Sequence, residues 1–333
     1  MSKPDALPPG LIYYPDTRPG IIRRRQGRGF SYFAPDGTRI ADRVKRRALT
    51  ALAIPPAYRD VWITPRDDGH LVATGFDAAD RKQYRYHPDW QAHQALRKYD
   101  DLPRYGDALP TLRGWIGRHL RGPIGDRLTT IAAVLALLDR ASLRVGNPEY
   151  RDENGTFGAT TLRADHVSVE TDTLLIEFIG KGDTDISESL HAPRLAEVLD
   201  GCADLPGAEL MVWTDGTTLR HVRSEHVNET LGQICGDGIT AKVIRTWNGT
   251  HAAFQEARKP GRLTISAMAR AAADRLHNTP TIARNSYIHP VIIALSDMDP
   301  DDRLARIARE PSPDHPLLRS GERELHGYLR TSC

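Results

Sequence analysis

Apolar positions fall into two regimes along the chain. Before residue 88 they come in short runs, Phe30-Ser31-Tyr32-Phe33, Val61-Trp62-Ile63-Thr64, His70-Leu71-Val72-Ala73 and Gln83-Tyr84-Arg85-Tyr86, separated by turn formers such as Pro35-Asp36-Gly37 and Asp67-Asp68-Gly69. This predicts a small antiparallel sheet. A helical stretch over residues 42–52 interrupts it and stops at Pro55-Pro56, where proline has no N–H to continue a helix. From Trp90 onward the period lengthens. Ile131, Val134, Leu135, Leu137 and Leu138 form a broad apolar stripe with Thr129 or Thr130 available as a cap, the mark of a mostly buried helix. Two strands return around Thr171-Asp172-Thr173, at residues 166–170 and 174–179, and Gly180-Lys181-Gly182-Asp183 reads as a turn out of the second. Helices follow at about residues 192–200, 224–235, 240–256, 263–276 and 289–296, the third capped by Thr240 after Gly236-Asp237-Gly238.

The fold class is therefore α+β, a small antiparallel N-terminal sheet domain followed by a mainly helical domain that carries a small sheet of its own. The expected domains are residues 1–88, residues 89–295, and a tail over residues 296–333 that mixes acid, base and proline around at most one helix. No internal repeat is visible.

The 333 residues are about twice the usual single-domain length of roughly 150. A content of 40% hydrophobic and 26% charged residues is that of an ordinary globular chain, which excludes collagen-like, mucin-like and wholly disordered classes. No apolar run reaches the roughly 18 to 20 residues of a bilayer span, and residues 1–10 show no basic-then-apolar leader, so a cytoplasmic, nucleoid-associated protein is expected. Cys202, Cys235 and Cys333 are far apart with no CxxC pair, and the thirteen histidines show no HExxH spacing. We expect no metal and no cofactor. The net charge of +2 is mild, but the charge is segregated. Between residues 21 and 47 nine basic side chains (Arg23, Arg24, Arg25, Arg28, Arg39, Arg43, Lys45, Arg46 and Arg47) face only Asp36 and Asp42, a local net of +7. Lysine is scarce, seven of the 45 basic residues, so each one bears inspection.

One ordered set of residues suggests chemistry: Arg144, Lys181, Arg245, Asn278 and Tyr287. Taken singly, each has an ordinary structural reading: an arginine paired to a carboxylate such as Asp139, a solvated hairpin lysine, a cation stacked near Trp247, a turn asparagine before Thr279-Pro280, a satisfied core tyrosine. Together these residue types suit attack of a phenolic oxygen on a phosphodiester. The pentavalent transition state gathers negative charge on its non-bridging oxygens, which the forks of Arg144 and Arg245 and the neutral donor Asn278 can contact. The leaving alkoxide is strongly basic and needs a general acid, a role Lys181 can fill from its glycine-flanked turn. Tyr287, with a reference pKa near 10, needs nearby positive charge to become a nucleophile, and the arginines supply it.

At these residues the chain resembles the type IB DNA topoisomerases, specifically the compact branch of bacteria and poxviruses. The resemblance covers most of residues 20–295. It rests on Ile54-Pro55-Pro56-Ala57-Tyr58, Arg81-Lys82-Gln83-Tyr84-Arg85-Tyr86-His87-Pro88, Arg144-Val145-Gly146-Asn147, Asn154-Gly155-Thr156-Phe157-Gly158, Phe178-Ile179-Gly180-Lys181, Arg245-Thr246-Trp247 and Ser286-Tyr287-Ile288-His289-Pro290. It implies the catalytic fold shared by tyrosine recombinases and type IB topoisomerases. The activity implied is relaxation of supercoiled duplex DNA through a 3′-phosphotyrosyl link at Tyr287, strand rotation and resealing without ATP or metal. It assigns oxyanion contact to Asn278, where viral members carry histidine, with His277 adjacent.

The same resemblance implies that double-stranded DNA is the partner. Gln83, Tyr84 and Tyr86 would face the major groove, Tyr84 and Tyr86 from one face of a strand by period-two geometry, while Tyr150 and Lys242 would lie near the scissile phosphate. The basic segment would meet backbone phosphates, and two domains joined near residues 88–91 would form a clamp around the duplex. A monomer with no membrane attachment and no small-molecule cofactor is expected. The alternatives are a site-specific tyrosine recombinase, which usually shows His-x-x-Arg where this chain has Lys242-Val243-Ile244-Arg245, and a non-enzymatic DNA-binding protein, which leaves the ordered set unexplained.

Overall fold

The computed structural model describes residues 7–27, 29–78, 80–204, 209–216, 218–309 and 311–332, which divide into two units, residues 1–97 and 98–333. Arg28 and Cys333, both singled out above, lie outside the described residues.

In the first unit five antiparallel strands, β1 (Ile21–Gln26), β2 (Gly29–Phe33), β3 (Arg59–Ile63), β4 (Leu71–Phe76) and β5 (Lys82–Tyr86), lie in the order β2-β1-β3-β4-β5. Helix α1 (Arg43–Ala51) starts at Asp42, whose carboxylate accepts from the Lys45 N–H and satisfies one of the free donors of the first turn. Ile21, Tyr32, Leu49, Val61, Ile63 and Ala73 form a small core. Strand β1 was hidden in the sequence because it reads Ile-Ile-Arg-Arg-Arg-Gln. Its burial alternates only through Arg23, which is 7% exposed and donates to the carbonyls of Ile54, Pro55 and Tyr58 at 2.8, 2.9 and 3.0 Å while lying over the Phe30 ring. Arg23 therefore holds the Ile54–Tyr58 loop and does not belong to a solvent-facing basic surface, a correction to the expectation for this segment. Arg43, Arg46 and Arg47 are exposed and line a shallow cleft with Phe30, Tyr32 and Thr50.

The boundary between units falls inside α2 (Pro88–His119), whose Leu102, Tyr105, Leu109, Leu112 and Ile116 recur at helical spacing and are buried. Helix α3 (Arg127–Ala141) is enclosed nearly all round, as its broad apolar stripe predicts. Its cap is Asp126, which accepts from the N–H groups of Leu128 and Thr129, one turn earlier than the expected threonines. Thr130 instead donates to the carbonyls of Asp126 and Val212. After α4 (Pro148–Asn154) come β6 (Val167–Glu170), β7 (Thr173–Gly180) and β8 (Thr184–His191), an antiparallel sheet in sequence order. Strand β8 went unread because it is mostly polar, Thr-Asp-Ile-Ser-Glu-Ser-Leu-His, with only alternate side chains turned inward.

Helix α5 (Pro193–Ala203), the short hairpin β9 (Val212–Thr214) and β10 (Leu219–His221), and α6 (Ser224–Cys235) lead to α7 (Ala241–Ala257), most of which is buried. Thr240 occupies the cap position of α7, but its side chain makes no cap bond, and the Asn228 side chain accepts from the Ala241 N–H instead. Helices α8 (Ile265–Leu276), α9 (Pro280–Tyr287) and α10 (Pro290–Ile293) pack on and beside α7. The C-terminal residues carry two helices, α11 (Pro300–Ala308) and α12 (Glu322–Ser332), and Leu325 and Leu329 of α12 are part of the main core.

Beneath α12 sits a buried ionic cluster. Arg113 donates to Glu322 at 2.6 and 2.8 Å and to Asp139 at 3.0 and 3.1 Å, and Arg319 reaches Asp139 at 2.6 Å. Burial alone would raise the Glu322 carboxyl, but the Arg113 hydrogen bonds and charge outweigh it and hold it at about 2, below the reference 4.5. A depressed carboxyl contributes stability that is present above its unfolded pKa and lost as pH falls through the folded one. We therefore expect on the order of 3 kcal/mol to disappear between about pH 4.5 and pH 2. Glu322→Gln should remove that increment at neutral pH and flatten the profile across this window, measured by urea denaturation at a series of pH values. An unchanged acid profile would contradict the assignment.

Candidate active site

Four segments of the second unit converge. Helix α3 ends at Ser142, which adopts a left-handed conformation (φ 53°) and turns the chain so that Leu143 is buried and Arg144 emerges. The backbone after it is tied to the Gly158-Ala159-Thr160 strip, where the Ala159 N–H donates to the Arg144 carbonyl at 2.8 Å and the Thr160 N–H to that of Val145 at 2.7 Å. This contact explains the glycines of both motifs. A Cβ on Gly158 would stand 2.7 Å from the Arg144 carbonyl oxygen and from Gly146, and Gly146 itself sits at φ 94°, where other residues are strained.

Arg245, on α7 one turn from its start, is 5% exposed. It donates to the Ser142 carbonyl through Nη1 and to the Leu276 carbonyl through Nη2 at 2.9 Å, so it bridges the ends of α3 and α8. Its guanidinium carbon lies 5.3 Å from the centre of the Tyr287 ring. Burial and then the charge of Arg144 push Arg245 down to about 10, with contact to Tyr287 opposing the shift. Arg144 is likewise lowered by burial, against the influence of Tyr287. Asn278 follows His277, the left-handed residue (φ 50°) that ends α8, and accepts from Arg144 Nη2 at 2.6 Å. Its own Nδ2 and the Nε of Arg245 are buried without a hydrogen-bond partner among the described residues. His277 turns elsewhere, its Nε2 lying 3.1 Å from Glu188 of β8.

Tyr287 is the last residue of α9, a helix started by Thr279 and Pro280, with the Thr279 hydroxyl accepting from the Ile282 N–H. Its backbone is fixed by Thr250 of α7, whose hydroxyl donates to the Tyr287 carbonyl at 3.0 Å and accepts from the His289 N–H at 3.1 Å. Gly249 makes the approach possible, since a Cβ there would lie 3.0 Å from the Tyr287 Cβ and carbonyl oxygen. Asn248, Gly249 and Thr250 were not recognised in the sequence. Their signal is a run of polar and small residues inside a helix whose middle is buried on every side. Asn248 donates to the Asp139 carbonyl at 3.1 Å and to the Ser142 hydroxyl at 2.9 Å, bracing the turn that carries Arg144.

Lys181 is exposed in the turn between β7 and β8 and lines a cleft with Arg144, Val145, Gly146, Asn147, Thr156 and Phe157. Phe157 positions this hairpin through its N–H, which donates to the Ile179 carbonyl at 2.9 Å. Lys242 is exposed on the first turn of α7, three residues before Arg245. Tyr150 belongs to α4, and its side chain lies outside the described residues. The structure thus gathers Arg144, Arg245, Asn278 and Tyr287 in direct contact or one contact apart, with Lys181 across the same cleft from Arg144.

Gln83, Tyr84 and Tyr86 belong to β5 of the first unit. Tyr84 is 42% exposed and stacks on Tyr86, ring centres 6.2 Å apart and planes 12° from parallel, so the two share a face. Gln83 donates to the Asp77 carboxylate at 2.8 Å. Lys82 lies over the Tyr84 ring and pairs with Asp16 at 2.5 Å.

Comparison with known proteins bears on both units. Residues 29–77 match the family described as bacterial DNA topoisomerase IB, N-terminal domain, and residues 87–280 match that described as eukaryotic DNA topoisomerase I, catalytic core, a match that ends before Tyr287. The chain is similar to DNA topoisomerase 1B of Acanthamoeba polyphaga mimivirus, 23% identical over 299 residues that make up 85% of this chain and 89% of that protein. It is 21% identical to DNA topoisomerase 1B of Vaccinia virus (strain Copenhagen) over 236 residues, 68% of this chain and 72% of that one. With DNA topoisomerase 1 of Schizosaccharomyces pombe it shares 26% over 174 residues, 51% of this chain but 20% of the much longer yeast protein. Because the catalytic-core match alone covers more than half of the chain, and the N-terminal match accounts for most of the first unit's sheet, this protein belongs to the type IB DNA topoisomerase family.

Proposed function

We propose that the protein relaxes supercoiled duplex DNA by transient cleavage of one strand, with Tyr287 as nucleophile and Arg144, Lys181, Arg245 and Asn278 as its catalytic partners. The observation that carries this reading is the pair of buried, unpartnered donors, Arg245 Nε and Asn278 Nδ2, beside the half-buried Tyr287. Buried N–H groups without partners are costly, and at a site with two cationic forks they suit a phosphate oxyanion.

In the step proposed, the Tyr287 phenolic oxygen attacks the scissile phosphorus as its proton passes to solvent water, and the bond from phosphorus to the 5′ oxygen breaks. Arg144 and Arg245 bind the two non-bridging oxygens, and Asn278 adds a neutral hydrogen bond whose geometry is set by the 2.6 Å bond it receives from Arg144. Lys181 gives its proton to the departing 5′ oxygen, and the exposed hairpin allows it to reach across the cleft. The phosphorus keeps its ester bond to tyrosine, so the free 5′-hydroxyl strand can rotate and attack in return without an external energy source. Lys242, on the exposed side of α7, assists proton transfer, and Tyr150 stands near the scissile phosphate. Gln83, Tyr84 and Tyr86 contact the duplex from the first unit, the exposed Tyr84 and the half-buried Tyr86 stacked on it presenting hydroxyls on one face. One nick needs one nucleophile, so the protein acts as a monomer. It works on DNA in the cytoplasm, at the nucleoid, and among the described residues no helix is long and apolar enough to cross a membrane.

Incubated with negatively supercoiled plasmid in EDTA without ATP, the wild-type protein should yield a ladder of relaxed closed circles, and Tyr287→Phe should yield none while binding DNA equally well. Mobility shift without relaxation by the wild type would overturn the proposal. Lys181→Ala should slow single-turnover cleavage by roughly 10²- to 10⁴-fold. The loss should largely vanish on a substrate whose bridging 5′ oxygen is replaced by sulfur, a leaving group that needs no acid. An equal loss on both substrates would assign Lys181 another role.

A further inference from the structure

We propose that Glu322, at the start of the C-terminal helix α12, is a positioning residue for the arginine pair of the active site. The proposal rests on the roles given above to Arg144 and Arg245. It concerns a part of the chain beyond the catalytic-core match, which ends at residue 280.

Glu322 is fully buried. Its carboxylate accepts from Arg113 on α2 at 2.6 and 2.8 Å, from the Arg319 N–H at 2.6 Å and from Trp247 Nε1 on α7 at 3.1 Å. Two of these contacts lead to the catalytic arginines. Trp247 is two residues beyond Arg245 on the same helix, and its ring is wedged edge-on against Tyr105 of α2, so the indole fixes the rotation of α7 about its axis. By the other route, Arg113 also grips the Asp139 carboxylate, and the Asp139 carbonyl accepts from Asn248. Asn248 in turn donates to the Ser142 hydroxyl, and the Ser142 carbonyl accepts from Arg245. Ser142 is the left-handed residue that aims Arg144. One carboxylate therefore stands at the meeting point of two paths, one reaching Arg245 through Trp247 and the backbone of α7, the other running by hydrogen bonds to Ser142, which holds Arg245 by its carbonyl and precedes Arg144 by two residues.

An ionic cluster this deep is a poor way to gain stability alone, because well-packed apolar residues usually do as well in such a place. What a carboxylate adds is direction. It demands donors at set angles, and here those donors belong to α2, to α7 and to the turn that precedes α12. A shift of about 1 Å in a group that binds the transition state can cost 10²-fold in rate, so a small rotation of α7 would be felt at Arg245.

The test compares single-turnover cleavage of a DNA duplex, DNA affinity at fixed salt, and melting temperature for the wild type, Glu322→Gln, Trp247→Phe and Leu325→Ala. Leu325 lies on the same helix, is fully buried and takes no part in the hydrogen-bonded paths. Glu322→Gln and Trp247→Phe should slow cleavage by about 10-fold or more with DNA affinity within about twofold of the wild type. Leu325→Ala should lower the melting temperature yet cleave within about twofold of the wild-type rate at temperatures where it is folded. Wild-type rates in both Glu322→Gln and Trp247→Phe would overturn the proposal, as would an equal slowing in Leu325→Ala, which would make α12 a packing element only. If Glu322→Gln does not fold, Trp247→Phe decides, since it keeps an aromatic ring while removing the N–H together with part of a buried ring, and Leu325→Ala is the control for lost packing. Tyr287→Phe serves as control. Failure of the wild type itself to cleave would remove the functional reading, whereas wild-type cleavage that neither Glu322→Gln nor Trp247→Phe slows removes only the positioning role.

Discussion

Two guanidinium groups, Arg245 buried and Arg144 half-buried, stand near enough to feel each other's charge, and most of the second unit is arranged to keep them there. Arg245 is 5% exposed and spends its fork on the carbonyl oxygens of Ser142 and Leu276, which neutralise no charge. Arg144 stands close enough to depress it further. Like charges in a low-dielectric setting repel strongly, so the arrangement persists only because surrounding elements over-determine it. The same repulsion makes the site receptive to an anion, and it is greatest for the extra charge of a pentavalent phosphorus centre.

The rest of the architecture reads as the supports of that pair. Helix α3 is enclosed nearly all round, which holds its end and the left-handed turn at Ser142 in place. The paired glycines Gly146 and Gly158 let the Arg144 strand lie directly on its neighbour, and Gly249 lets the Tyr287 backbone settle onto α7. Thr250 then locks that backbone with two hydrogen bonds. Tyr287 and Arg245 thus share one helix as their reference. Lys181 is the exception, held in an exposed turn between two strands, which suits the proton-donor role proposed for it.

The sequence was most legible where periodicity and chemistry coincided. Strands β2 to β5 and helices α1, α6, α7 and α8 follow from their apolar spacing and their turn residues, and the ordered Arg, Lys, Arg, Asn, Tyr set is legible in the chain as one chemical constellation. Strand β1 was obscured because an arginine occupies its inward position, its charge satisfied by three carbonyls that no local pattern announces. Strand β8 was obscured by its polarity, and α9 by its shortness and the proline at its start. The cap of α3 lies a turn from its expected place for the same kind of reason, since Asp126 and the threonines after it are equally good caps on paper and only the fold chooses. Contacts between residues far apart in sequence, such as Arg113 with Glu322 or Asn248 with Ser142, leave no trace in a single chain.

The central claim is that Tyr287 becomes covalently joined to DNA. A duplex carrying a nick just beyond the cleavage point would lose its short leaving strand and trap the intermediate. Proteolysis and mass spectrometry of the trapped complex should then place a nucleotide adduct on Tyr287, joined through a 3′ phosphate. An adduct on any other residue, a 5′ linkage, or no adduct from protein that demonstrably binds the duplex would contradict the account.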